Sequence, residues 1–461
     1  MIQIVHPLAA AARLEGEILI PASKSHTIRA LLIAALAAGD SLIINPLESK
    51  DARSCIETVR LFGATLEEIS GAAWGAERAI RVKGIGGRTA DGHRQGILGH
   101  AADNIIDTGN SGTTLYLAAS LAALTPHGQS VFTGDAQIRS RPIGNLLAAL
   151  QDLGATAYST KDNGRAPVVI GGPIKGGSTT IECPTSQFLS SLLLALPLAD
   201  TDQCEINVSL LHEQPYAEMT LRWLDEQGIR YENHGWKRFV IPGRQHYQPF
   251  EKVVPGDFSS ATFFACAAAI TGSRLRLTGL DMADSQGDKA VFGILQSMGC
   301  LVDFDKANSA TGITVTGPGH PDNPCKALKG GTFDLNDIPD SLPALSVTAA
   351  YAQAEVSLVN VPQARLKETD RIAMMHRELA KMGALVTELP DGLVIQPSAH
   401  LMRGTEVESH DDHRIAMSLA LAALRSRGPN QIADAECAAV TFPGFFRILT
   451  ELGVQTSSTG A

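Results

Sequence analysis

The sequence predicts an α/β protein of two domains, each an inside-out α/β barrel made of three copies of one unit, with helices buried at the centre and sheets outside. Three observations carry this expectation. Six amphipathic helical patterns each end in a glycine; a second, more apolar helical pattern precedes each of them; and short strand-like pieces separate and follow the pair. A residue in the left-handed conformation just past a helix end is most easily supplied by glycine, so a recurring glycine stop marks a recurring helix end. The six fall at Gly63, Gly154, Gly228, Gly299, Gly383 and Gly453. Their spacing of roughly 70 to 90 residues is too long for a solenoid repeat and suits a small folding unit.

The apolar helices are expected at Thr27 to Ala38, Gly112 to Leu124, Ser186 to Ala199, Ser259 to Ile270, Leu342 to Ala352 and Arg414 to Leu424. They are Ala/Leu-rich nearly all round, which is the pattern of a helix covered on every side. After each comes a strand candidate: Ser41 to Asn45, Ser130 to Thr133, Glu205 to Leu210, Arg274 to Thr278, Val356 to Val361 and Gln431 to Ala435. Further alternating pieces such as Thr65 to Ile69 and Leu385 to Leu389 follow the amphipathic helices. Copies of such a unit pack around their shared apolar helices. With 461 residues, one core is less economical than two. Three copies per domain are expected, with the boundary after the third copy. A turn-rich polar stretch, Pro242 to Pro249, closes the third copy. The alternative is one large α/β domain.

Composition narrows the function classes. Hydrophobic residues make up 44% and charged residues 19%, a globular balance. A net charge of -10 argues against general nucleic-acid binding, so any anionic substrate must be met by local cations. The seven scattered cysteines lack a C-x-x-C spacing and point to neither a disulfide framework nor zinc, and a reduced, cytoplasmic setting is expected. No signal peptide, membrane span, metal or cofactor is expected, and the protein is expected to be a monomer.

The cations cluster at helix starts. Lys24 and Arg29 lie where Pro21-Ala22-Ser23-Lys24-Ser25-His26-Thr27 runs into the first apolar helix. A helix start offers unsatisfied N–H groups and a positive dipole end, so a lysine and an arginine there favour an anion, although Ser-x-Ser before a helix is by itself more often a plain N-cap. Asn110-Ser111-Gly112-Thr113-Thr114 opens the second apolar helix, and Arg139-Ser140-Arg141-Pro142 starts the amphipathic helix after it. Pro184-Thr185-Ser186-Gln187 offers hydroxyls and an amide but no charge. Copy five contributes Ile338-Pro339-Asp340 and Lys367-Glu368-Thr369-Asp370-Arg371, read as putting Lys367 and Arg371 one helical turn apart on one face. Asp411-Asp412-His413-Arg414 opens the last apolar helix. Among these cations, Asp340 and Glu368 are placed for proton transfer, while Glu368 and Asp370 serve equally well as ion-pair partners. His26 and His413 read as caps or surface residues.

These motifs, in this order over nearly the whole chain, resemble those of the EPSP synthase (3-phosphoshikimate 1-carboxyvinyltransferase) family: Pro21-Ala22-Ser23-Lys24-Ser25 with Arg29, Gly109-Asn110-Ser111-Gly112-Thr113, Arg139-Ser140-Arg141-Pro142-Ile143-Gly144, Ser186-Gln187-Phe188, Pro215-Tyr216, Gly256-Asp257-Phe258-Ser259-Ser260-Ala261, Lys367 to Arg371, and Asp412-His413-Arg414. The resemblance implies the two-domain enolpyruvyl transferase fold, with domains 21–255 (copies one to three) and 1–20 with 256–461 (copies four to six) and the active site in the cleft between them. It also implies transfer of the enolpyruvyl group of phosphoenolpyruvate to the 5-hydroxyl of shikimate 3-phosphate, with phosphate released, on the shikimate pathway to chorismate and aromatic amino acids. Under it Lys24, Arg141, Arg371 and Arg414 grip phosphoenolpyruvate, with Asn110 and Gly112 on its phosphate side and Gln187 alongside. Asp340 accepts the attacking hydroxyl's proton, and Glu368 and Lys24 serve the methylene carbon. Lys24, Ser25, Arg29, Gln187, Tyr216, Asp340 and Gln363 face the acceptor, whose phosphate goes to Thr185, Ser186 and Lys367.

Four positions depart from the family pattern: Val440 replaces a lysine that binds the donor phosphate, Tyr116 an arginine, Glu213 a serine that binds the acceptor phosphate, and Gln363 an acceptor-binding asparagine. Glu213 is the most awkward, since two charges of like sign at 4 Å cost about 1 to 4 kcal/mol between water and a protein surface. Two further readings therefore stand beside the main one: an enolpyruvyl transferase acting on another cyclic alcohol, and a non-catalytic anion-binding paralogue. The sister enzyme acting on UDP-N-acetylglucosamine uses a cysteine in the loop of the second copy, where this chain has none between Cys55 and Cys183.

Overall fold

The computed structural model describes residues 1–70, 78–86, 105–305, 311–397 and 402–459. Its apolar helices are Lys24–Leu36, Gly112–Ala122, Ser186–Ala195, Phe258–Thr271, Leu342–Ala350 and His413–Ala423. Each is followed by a strand and then by the amphipathic helix of its copy: Lys50–Leu61, Gly144–Asp152, Gln214–Glu226, Ala290–Ser297, Arg371–Lys381 and Phe445–Glu451. All six glycine stops adopt positive φ, from 66° at Gly228 to 102° at Gly299. Only glycine takes that conformation without a Cβ penalty, which explains why these helices end where they do.

The described strands form six four-stranded sheets of one design. In the second copy Ile105–Asp107 runs parallel to Ser130–Thr133, the crossover between them being the helix Gly112–Ala122. Val168–Gly171 then pairs antiparallel with Ser130–Thr133, and Thr156–Ser159 takes the outer edge. A parallel pair needs a long crossover and an antiparallel pair only a turn, so a helix lies between the first two strands and a hairpin closes the copy. Three copies borrow strands. Glu251–Val253 completes the sheet of the first copy beside Asp40–Ile44, and the N-terminal strands Glu15–Leu19 and Ile2–Val5 complete the fourth and sixth.

By internal contacts the chain divides into Ala22–Val254 and Met1–Pro21 with Pro255–Ala461, called here the first and second halves. The first half extends beyond the Pro242–Pro249 stretch, because Tyr247 bridges to Ala37 and Glu251–Val253 returns to the first sheet. Each half has one apolar core centred on its three apolar helices. Burying a large aliphatic or aromatic side chain contributes about 1.5 to 3 kcal/mol, so helices covered all round hold each half together. Phe258–Thr271, Leu342–Ala350 and His413–Ala423 are buried at every residue. In the other three, exposure is confined to Lys24, Ser25, Thr113 and Gln187, all in first turns. A helix otherwise sealed in apolar contacts thus opens only at its positive end.

Candidate active site

The second half gathers its chemistry around Asp340. This residue lies in the 3₁₀ turn Pro339–Ser341 that leads into Leu342–Ala350, and its carboxylate keeps 17% of its surface exposed. Arg371 Nη1 donates to its Oδ1 at 2.8 Å, Arg414 Nη2 approaches Oδ2 at 2.8 Å, and Lys367 Nζ stands 4.0 Å from Oδ1. Arg371 also donates through Nη2 to Glu368 at 2.5 Å and through Nε to Asp412 at 2.8 Å. Arg414 Nη2 further donates to Ser259 Oγ at 2.9 Å, and Ser259 is held in turn by Asp257. Three cations therefore meet three carboxylates, of which Asp412 is fully buried and Asp340 the most open.

Local sequence explains how these groups arrive together. Asp412 caps His413–Ala423 by accepting from Arg414 N, and Asp370 caps Arg371–Lys381 by accepting from Ala373 N. The second cap corrects the expected spacing of Lys367 and Arg371. The helix begins at Arg371, and Lys367 lies upstream in an extended conformation after the 3₁₀ turn Pro362–Leu366. The two cations reach one carboxylate from separate elements, not from one helical face. Burial alone would lower the affinity of Arg371 for its proton, and the carboxylates of Asp412, Glu368 and Asp340 outweigh it, so its pKa is raised. Both acidic alternatives are realised in part: Glu368 is ion-paired to Arg371, and Asp370 is both a cap and a partner of Arg365 at 2.7 Å. Gln363 is buried and donates to Asn336 O at 2.8 Å.

The first half carries the helix-start residues. Ser23 is the N-cap of Lys24–Leu36 and accepts from His26 N, so Lys24 and Ser25 belong to the helix's first turn and not to a loop before Thr27. Lys24 Nζ lies 3.3 Å from the buried carboxylate of Asp51, the acidic first-turn residue of Lys50–Leu61. Arg29 is buried and donates to Thr220 Oγ1 at 2.9 Å, Ser25 O at 3.0 Å, Tyr216 O at 2.9 Å and Ser190 Oγ at 3.4 Å. Burial lowers its pKa to about 10, with Tyr216 opposing the shift, so it remains charged at neutral pH. His26 and His413 are buried rather than capping or surface residues, and His26 Nδ1 accepts from Trp223 Nε1 at 3.0 Å.

At the second apolar helix, Arg141 lies directly on the N-terminus. A Cβ placed on Gly112 would fall 2.1 Å from Arg141 Nη1, so any larger residue would displace this guanidinium. A cation against a positive helix end is unfavourable by itself, and an anion beside both offsets it. Asn110 Nδ2, in the same loop, donates to Asp135 and Gln137, each at 2.6 Å. Arg141 is extended after a 3₁₀ turn, and its amphipathic helix starts at Gly144, two residues beyond Pro142. Tyr116 donates to Pro142 O at 3.1 Å and meets Phe188 edge-on, so it fixes the backbone beside Arg141.

The third apolar helix is capped by Thr185, and its start is occupied. Glu213 Oε2 accepts from Thr185 Oγ1 at 3.0 Å, Ser186 Oγ at 3.2 Å and Ser186 N at 3.4 Å. Gln187 stands half-buried beside them, and its Oε1 is buried with no hydrogen-bond partner among the described residues. Val440, in the 3₁₀ segment Ala435–Val440, is buried. Sequence reasoning did not assign roles to Asp51, Asp412, Ser259, Ser190 and Thr220. Asp412 carried a readable cap signal, whereas the rest meet their partners only across long stretches of chain.

The chain is similar to known proteins along nearly its whole length. The profile of the family described as EPSP synthase (3-phosphoshikimate 1-carboxyvinyltransferase) matches residues 8–449. A 3-phosphoshikimate 1-carboxyvinyltransferase of Acetivibrio thermocellus is 47% identical over 447 residues, covering 97% of this chain and 98% of the relative. That of Ruminiclostridium cellulolyticum is 48% identical over 440 residues, covering 95% and 96%. Among solved structures, an EPSP synthase from Acinetobacter baumannii superposes with TM-score 0.77 at 27% identity, covering 99% of this chain and 100% of the other. The enolpyruvyl transferase NikO from Streptomyces tendae shares the fold, with TM-score 0.74 at 19% identity over 100% and 99% of the two chains.

Proposed function

This chain belongs to the EPSP synthase family, and we propose that the Asp340 cluster and the three helix starts of the first half divide its chemistry between proton transfer and anion binding. The reaction is the transfer of the enolpyruvyl group of phosphoenolpyruvate to the 5-hydroxyl of shikimate 3-phosphate, with release of phosphate, on the shikimate pathway. The observation that carries the assignment of roles is the convergence of Arg371, Arg414 and Lys367 on the partly exposed Asp340.

In this reading the acceptor's 5-oxygen adds to the central carbon of phosphoenolpyruvate as its proton passes to Asp340, and Glu368 delivers a proton to the methylene carbon. The carbon–phosphate oxygen bond then breaks, phosphate leaves, and the methyl group returns a proton to regenerate the enol ether, with Lys24 serving this carbon as well. Lys24, Arg141, Arg371 and Arg414 hold the donor's carboxylate and phosphate and stabilise the leaving phosphate, with Asn110, Gly112 and Gln187 alongside. Ser25, Arg29, Tyr216 and Gln363 hold the acceptor ring and carboxylate. Arg29 acts there chiefly through its charge and through the Ser25 and Tyr216 backbone that it fixes. Thr185, Ser186 and Lys367 take the acceptor's phosphate. Each half carries only part of this set.

The test is phosphate release on mixing the protein with phosphoenolpyruvate and shikimate 3-phosphate. Asp340→Ala is expected to lower kcat by about 10²- to 10⁴-fold, the range of a positioned proton acceptor. Unchanged turnover in that variant would refute the role given to Asp340. Release with a different cyclitol, and none with shikimate 3-phosphate, would refute the acceptor.

A further inference from the structure

The parallel strands Gly177–Cys183 and Gln203–Leu211 run side by side, pairing Cys183 with Leu211, and each leads into a helix. The two helix starts, Ser186–Ala195 and Gln214–Glu226, therefore emerge next to one another, and the connection is tightened where His212 N donates to Cys183 O at 3.1 Å. Glu213 sits at this junction. Its backbone is left-handed, with φ 57°, an uncommon conformation for a residue with a long side chain. The turn aims the carboxylate at the start of the neighbouring helix, where it is 1% exposed and accepts from Thr185 Oγ1, Ser186 Oγ and Ser186 N. Two hydroxyls and a backbone N–H at a positive helix end are the donors a phosphate would use.

We propose that Glu213 is a resident anion in the acceptor-phosphate site and sets the enzyme's affinity for its acceptor. The inference rests on the placement of that phosphate at Thr185 and Ser186 given above. Before a phosphate can take those donors the carboxylate must release them, and it must also turn away, because two anions on one helix start repel. Glutamate has enough side-chain torsions to do this without moving the backbone. Acceptor binding is thus an exchange of one anion for another. Its consequence is selective: Glu213 weakens the binding of a phosphorylated acceptor and is indifferent to the same ring without phosphate.

Calorimetric titration of the full-length protein with shikimate 3-phosphate and with shikimate tests this. Glu213→Ser is expected to tighten shikimate 3-phosphate about tenfold or more while leaving shikimate within about twofold. Glu213→Gln, which keeps the shape and removes the charge, is expected to move in the same direction by less. In turnover the gain appears in KM for shikimate 3-phosphate, with kcat and KM for phosphoenolpyruvate unchanged. If both variants leave shikimate 3-phosphate unchanged, weaken it, or shift both ligands equally, the inference is wrong. Ser186→Ala separates this failure from failure of the underlying reading. If Ser186→Ala weakens shikimate 3-phosphate no more than shikimate, the phosphate is not at this helix start. If Ser186→Ala is selective and the Glu213 variants are not, only the role of Glu213 falls.

Discussion

Asp340 and Glu213 are carboxylates placed at helix starts in different halves of the chain, and they are held in opposite ways. Asp340 is surrounded by the charges of Arg371, Arg414 and Lys367, which Glu368 and Asp412 help to balance. Glu213 is held at the start of Ser186–Ala195 by two hydroxyls and one backbone N–H. In the first arrangement the stabilisation is reciprocal: each charge offsets the desolvation of its partners, and removing one leaves the others uncompensated. In the second the donors are neutral and lose little when the anion is exchanged. A site built the first way suits proton transfer and charge stabilisation, whereas one built the second way suits reversible occupation by a ligand.

The sharpest way to break this comparison is to neutralise one carboxylate on each side. Asp412→Asn leaves Arg371 buried without a full counter-charge and is expected to cost about 3 to 5 kcal/mol in denaturant unfolding, together with most of the activity. Glu213→Gln is expected to cost about 1 kcal/mol or less, since an amide oxygen still accepts from Thr185 and Ser186. Equal losses would mean that the two sites are held alike.

Gly112→Ala probes the cationic side of the first half. The new methyl falls on Arg141 Nη1 and must push the guanidinium away from the helix start. KM for phosphoenolpyruvate is expected to rise roughly tenfold to a hundredfold, as when a charged hydrogen bond is lost, with kcat less affected. An unchanged KM would remove Arg141 from the donor site.

The smallest effect is expected behind the Asp340 cluster. Glu378 is fully buried and accepts from Lys381 Nζ at 2.8 Å, Glu408 N at 3.1 Å and the ring of His410 at 3.0 Å. Burial favours its protonated form, but the bonds from His410, Lys381 and Glu408 N outweigh burial and hold its pKa below the usual carboxylate range. A carboxylate depressed in this way contributes stability above its unfolded pKa and loses it as pH falls through the folded value. Unfolding free energy measured from pH 7 down to pH 3 is expected to fall less steeply in Glu378→Gln than in the unaltered protein. An identical acid slope would show that these contacts do not favour the charged form of Glu378.

Much of the fold was legible because its signals are local. A glycine stop, an Ala/Leu-rich helix and an alternating strand each report on a few neighbouring residues, and their sixfold recurrence supplied the architecture. The motif residues were legible as well, since helix starts are where backbone donors and caps collect. Spacing misled at Lys367 and Arg371, because Asp370 claimed the cap and began the helix four residues after Lys367. Histidine was misread at His26, whose burial depends on Trp223, 197 positions away.

From sequence alone came the six copies, the helices buried on all sides, the cation-rich helix starts and the positions that depart from the family pattern. Tertiary structure decided which charges share a carboxylate, why Gly112 admits Arg141, and where Glu213 points. Glu213 looked like a misplaced charge until strand pairing set it against Thr185 and Ser186. The physical reason is range: propensity and capping act within a few residues, whereas a buried charge takes its energy from whichever groups the folded chain brings within hydrogen-bonding distance.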